Sequence, residues 1–79
     1  MKFTHYFLHT TVRADRREIK MEWIEQAFHF PVKEEIQTDG RIRRWAKIEE
    51  NQKFLRIVLL EDGVTLHNAF FDRSFKLID

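Results

Sequence analysis

Histidine and arginine are the side chains of this sequence best suited to chemistry near neutral pH, the first by moving protons and the second by holding anions. Arg41, Arg43, Arg44 and Lys47 lie close together with no acid among them. Arg13, Arg16, Arg17 and Lys20 form a second basic group, diluted by Asp15 and Glu18, while acids gather at Glu34–Glu35, Glu49–Glu50 and Glu61–Asp62. Segregation of this kind lets a chain of net charge +1 present one basic face. His9, Arg13 and Arg17 recur every four residues, which sets them along one side of a helix. Such a line can hold a phosphate and offer a proton beside it; it can equally be a solvated helix face. His67, with Arg56 and Arg43, fits metal-independent cleavage of RNA. That reaction needs a base for the 2′-OH, an acid for the leaving oxygen and a cation for the phosphorane. The plainer reading of His67 is a polar rim on a hydrophobic sheet.

Other chemistries find no support. The chain has no Cys, which excludes disulfides, thiolate metal sites and a Cys nucleophile. His5 and His9 are four apart, but no third ligand is positioned to complete a set, so neither a metal centre nor a cofactor is expected. Both glycines fall in turns, leaving none for a phosphate-cradling loop. The one serine, Ser74, has no triad partner near it.

The elements that must position these groups follow from pattern. Seventy-nine residues make a single domain over 1–79, and 43% hydrophobic content with eight Phe and two Trp supports a packed core. Pro31 divides the chain. Before it, Met21, Ile24, Ala27 and Phe28 recur at helical spacing, predicting a helix of roughly Lys20 to His29 that Pro31 stops. An earlier helix is expected from about Phe7 to Arg17. After Pro31 the period becomes two, predicting strands at Val32–Thr38, Arg41–Ile48, Lys53–Leu60 and Thr65–Phe71, with residues 72–79 as a tail. Asp39-Gly40 and Asp62-Gly63 are hairpin signals. The expected fold is α+β: two N-terminal helices packed on a four-stranded antiparallel β-meander.

Pairing Thr38 with Arg41, Ile48 with Lys53 and Leu60 with Thr65 sorts the strands onto two faces. The core face should carry Ile42, Ala46, Ile48, Leu55, Ile57, Leu59, Leu66, Asn68 and Phe70, with Arg44 opposite Glu35. The other should carry Arg41, Arg43, Trp45, Lys47, Phe54, Arg56, Val58, His67 and Phe71. Of these, Arg41, Arg43, Trp45, Lys47 and Phe54 are the candidate RNA-binding set, since phosphates take cations and unstacked bases take rings. Trp45 beside Arg56 can also be a cation–π pair that only stabilises the sheet.

The order of His9, Arg13, Arg17 and Ile19, then an amphipathic helix ending at Pro31, a strand, Gly40-Arg41 and two closing strands resembles a family of small bacterial domains. That family is of unknown function and is grouped with RelE/ParE-like toxins and colicin-type ribonucleases. The resemblance runs from about Phe3 to Phe71. It implies an α+β fold, toxin-like ancestry and metal-independent RNA cleavage, and it carries over His9, Arg13 and Arg17. Glu18 departs from it where the pattern has a small turn residue, and Lys20 where it has a helix cap.

Two functions are therefore expected from the sequence. One is a ribonuclease, with RNA as substrate and a cognate antitoxin or other small protein as partner. The other is a non-catalytic RNA- or protein-binding module of the same fold. The opening Met-Lys-Phe-Thr-His-Tyr is too polar for a signal peptide, and no apolar run is long enough to span a membrane, so a cytoplasmic location is expected.

Overall fold

The computed structural model describes residues 1–10 and 18–77. Its elements are β1 (Lys2–Phe3), α1 (His5–Thr10), α2 (Met21–His29), β2 (Lys33–Ile36), β3 (Ile42–Ile48), β4 (Lys53–Leu59) and β5 (Thr65–Phe71). The sheet has five strands in the order β1-β5-β4-β3-β2. β1 runs parallel to β5, and every other pairing is antiparallel. This overturns the four-stranded antiparallel meander with two N-terminal helices. A two-residue strand is too short to show a period, so β1 is invisible as a pattern. It is held by Lys2 N–H to the Val64 carbonyl at 2.8 Å and Thr4 N–H to that of Leu66 at 3.0 Å. The first helix begins at His5 rather than at the expected Phe7, and the part of the expected helix from residue 11 to Arg17 lies outside the described residues. Thr4 supplies its cap, its hydroxyl oxygen accepting from Phe7 N–H at 3.1 Å.

α2 forms because its apolar residues line one side, burying Trp23, Ile24 and Ala27 while Glu22, Glu25 and Gln26 stay exposed. Lys20 gives no side-chain cap. Instead Glu50 accepts from both Lys20 Nζ at 3.0 Å and the Trp23 indole at 3.2 Å, tying the helix start to the turn after β3. The core lies between α2, Phe7 of α1 and one face of the sheet, where Ile48, Leu55, Ile57, Leu59 and Leu66 are sealed from water.

Two registers differ from expectation. In the β2–β3 hairpin Ile36 opposes Ile42, and Gln37 N–H donates to the Arg41 carbonyl at 2.8 Å, so the turn takes Thr38 as well as Asp39-Gly40. Gly40 has φ +90°, the left-handed residue that a three-residue turn requires. Arg44 therefore opposes Glu34 rather than Glu35, and bonds it at 2.6 Å. In the β4–β5 pair a bulge follows Leu66: Leu59 opposes Leu66, but Val58 opposes Asn68, leaving His67 as the extra residue. The bulge inverts the end of β5. Ala69 and Phe71 turn to the core, where Phe71 meets the edge of Trp23 at 5.9 Å, and Asn68 and Phe70 turn to the far face. Their expected sides are the reverse.

Candidate functional site

The far face of the sheet, away from α2, carries the candidate residues, and its two ends are built differently. One end is closed by the chain itself. Asp72 N–H donates to the Phe54 carbonyl at 2.9 Å, continuing the ladder one residue past β5. The Asp72 carboxylate then takes the N–H and hydroxyl of Ser74, at 3.1 and 2.8 Å, which reverses the chain. Reversal brings Phe75 back over the sheet, stacked on Trp45 with centroids 4.7 Å apart and edge-on to Phe54 at 4.9 Å. The other carboxylate oxygen of Asp72 accepts from the Trp45 indole at 3.0 Å and the Arg56 guanidinium at 3.5 Å. Arg56 lies over both Trp45 and Phe70, at 5.9 and 4.8 Å. Burial alone would raise the Asp72 carboxyl, but hydrogen bonds from Trp45, Ser74 and Arg56 outweigh it and hold the group below the usual carboxylate range.

Three of the sequence-predicted groups are consumed here. Trp45, expected as a stacking platform, is only 3% exposed beneath Phe75. Arg56, expected beside the scissile phosphate, is ion-paired with a nearly buried acid. Phe54 is half-buried against the tail. Lys47 opposes Phe54 and is half-buried.

The opposite end of the face is open. Arg41 stands one residue before β3, exposed and 3.8 Å from Asp39. Arg43 is half-buried and opposes Val58, which opposes Asn68. The Gln37 amide oxygen, turned toward Arg43, accepts from its Nε at 2.9 Å and braces it. His67 is half-buried at the bulge. Its Nδ1 lies 3.1 Å from the Thr4 hydroxyl, and its ring stacks on Tyr6 at 4.7 Å. The same Thr4 thus caps α1 and fixes His67, linking the short parallel strand to the candidate group. Burial, with the nearby Arg41 charge, pushes the His67 pKa down. Asp39, Glu61 and Asp62 border a hollow beside Arg41, so this end is mixed rather than uniformly basic.

The structure brings His67, Arg41 and Arg43 onto one open half-face and separates them in role from Arg56. His9 lies in the last turn of α1 and is exposed. Arg13 and Arg17 lie outside the described residues. Sequence reasoning missed Tyr6, Thr4 and Asp72, since each acts through a contact with a residue distant in the chain or through a tail without a period. The Asp-x-Ser pattern at 72–74 was the one local signal for the turn. Among the described residues no group of three or more His, Cys, Asp or Glu is arranged to hold a metal. No described helix is long and apolar enough to cross a membrane. Comparison with family models, curated proteins and solved structures finds no match for this chain. The resemblance drawn from His9, Arg13, Arg17 and Ile19 rests on the sequence alone.

Proposed function

We propose that the chain acts on RNA without a metal, through the open half of its far face, as a toxin-like ribonuclease. His67 is the proton-transfer group, and Arg41 and Arg43 hold the phosphate. The observation that carries this reading is the setting of His67, whose imidazolium is disfavoured by burial and by the Arg41 charge, whose ring lies against Thr4, and which shares its surface with two arginines. A neutral imidazole is the form that removes a 2′-OH proton. The oxygen then attacks the adjacent phosphorus and the bond to the 5′ oxygen breaks. That oxygen takes a proton from water to give the free 5′-OH, His67 releases the 2′ proton to solvent, and the other fragment ends in a 2′,3′-cyclic phosphate. Guanidiniums stabilise the charge that builds on the phosphoryl oxygens. The stacked Tyr6, 45% exposed, offers a ring to an unstacked base.

The test is cleavage of single-stranded and structured RNA in EDTA. The wild type should cut, and His67→Ala should lower the rate by about 10²–10⁴ with the fold intact, the usual contribution of one acid–base group. Activity unchanged in His67→Ala sinks the assignment. The second reading, a non-catalytic RNA- or protein-binding module, is favoured by the commitment of Arg56 and Trp45 to Asp72 and Phe75. It predicts binding that weakens in Arg43→Ala, with no cleavage in any sample.

A further inference from the structure

β2 is a short strand of sequence Lys-Glu-Glu-Ile at the edge of the sheet, and all four residues are exposed. Beside it stand the most exposed large apolar side chains of the described chain, Phe30 at 77% and Ile36 at 71%, with Val32 at 45%. Solitary exposed apolar residues are ordinary, but three along one open strand edge are a template for another strand. The backbone is ready for it. Gln37 N–H bonds inward to Arg41, and alternation along an antiparallel ladder turns Glu35 inward too, so Glu34 and Ile36 direct their N–H and C=O groups outward.

We propose that this edge pairs with the same edge of a second copy, antiparallel about a two-fold axis at Glu34. The charges select the second copy as occupant. Outward-bonding residues must oppose one another, so Glu34 faces either Glu34 or Ile36 of the partner strand. The first register sets each Lys33 opposite the other copy's Glu35, two complementary pairs, and brings each Ile36 side chain against the other copy's Val32. The Val32 N–H is already bonded to the Trp45 carbonyl of its own chain at 2.8 Å, so the seam bonds run through Glu34, Ile36 and the Val32 carbonyl. The second sets Glu35 against Glu35. The cost of opposing the two Glu34 groups in the first register is offset within each copy by Arg44, bonded to Glu34 at 2.6 Å. Arg44 is itself anchored, donating to the Phe28 carbonyl at 2.8 Å. The result is a continuous ten-stranded sheet across two chains, with Phe30 at the seam. It leaves the far-face half around His67 free, so it stands or falls separately from the ribonuclease reading.

The experiment is sedimentation equilibrium of the full chain, with circular dichroism to confirm that each variant is folded. The wild type should form dimers. Lys33→Glu and Glu35→Lys should each weaken dimerisation by about tenfold or more, because each replaces two attractive cross-strand pairs with two repulsive ones. Mixing the two variants should restore association, since the heterodimer again sets opposite charges against each other at both pairings of positions 33 and 35. That recovery cannot arise within one chain. A wild type that stays monomeric at millimolar concentration overturns the proposal and leaves the edge for a different strand. Dimers unaffected by either substitution place the contact elsewhere and overturn it as well. Loss in both variants without recovery on mixing overturns the antiparallel register.

Discussion

At one end of the far face, Trp45, Phe54 and Arg56 lie under Asp72 and Phe75; at the other, Arg41, Arg43 and His67 look outward beside Tyr6. Both ends alternate cations with rings along strands, and as sequence they read alike. They differ in what another stretch of the chain brings to them. After β5 the Asp72-Arg73-Ser74-Phe75 turn delivers a carboxylate and a ring to the first end, filling the places that a phosphate and a base would take. At the second end the N-terminal segment brings Thr4 and Tyr6 against His67, while Arg41 stays exposed beside Asp39 and Arg43 is braced by Gln37 rather than by a buried carboxylate. A basic-aromatic strand pattern thus identifies surfaces that want an anion and a ring, without saying whether the chain provides them itself.

The largest effect that separates the two ends is on stability. Trp45→Ala should cost about 3–5 kcal/mol, the usual cost of removing a buried large aromatic side chain, and chemical denaturation measures it. Arg41→Ala, at the open end, should stay within about 0.5 kcal/mol of wild type, as exposed substitutions do. If Trp45→Ala unfolds no more easily than Arg41→Ala, the closed end is not part of the core.

Asp72→Ala is the next test. It leaves Arg56 and the Trp45 indole without their acceptor in a site where the Asp72 side chain is 9% exposed, so it should cost about 1–3 kcal/mol. The pH dependence is signed. A carboxyl held below its unfolded pKa of about 3.9 stabilises the fold fully above that value and loses the contribution as pH falls through the folded pKa. Wild type should therefore lose stability below about pH 4 more steeply than Asp72→Ala. Parallel acid curves would mean that the Asp72 carboxylate does not hold the closed end together.

A smaller effect sharpens the open end. Arg43→Ala should reduce the slope of log affinity for RNA against log salt by about one unit, the signature of one lost phosphate contact. Arg56→Ala, with its charge already neutralised by Asp72, should leave that slope near wild type and lower stability instead. Equal slopes in both variants would erase the distinction between the ends.

How far the sequence reveals this arrangement depends on the range of each interaction. The period of two in Ile42–Ile48 and Lys53–Leu59 assigns the sides of β3 and β4 correctly, because strand alternation is a local property. One extra residue, His67, then reverses Asn68 through Phe71, since a bulge leaves every side chain type unchanged while shifting the parity. β1 is illegible for a different reason: its partner Thr65–Leu66 lies at the far end of the chain, and two residues carry no pattern. The candidate site shows the same division. Arg41, Arg43 and His67 stand out by type, whereas Thr4 and Tyr6 gain meaning only by folding against His67.

The smallest expected effect belongs to His67 and tests the open end where it is most specific. Burial disfavours the imidazolium, and the Arg41 charge adds to it, so the folded pKa lies below the unfolded value of about 6.5. In the window between the two, the unfolded chain binds more protons than the folded one. His67 therefore contributes stability in full above the unfolded value and loses it as pH falls through the folded pKa. The Thr4 contact and the Tyr6 stack give the neutral ring a fixed place, which a protonated ring would hold less well in a partly desolvated setting. NMR titration of the ring protons should find His67 below the ordinary imidazole value, with the gap narrowing in Arg41→Ala. Thermal melting across the same range should show a slope that His67→Gln removes. A His67 that titrates at or above the ordinary value would mean that the open end holds its histidine as a cation, and the proton-accepting role would pass to another group.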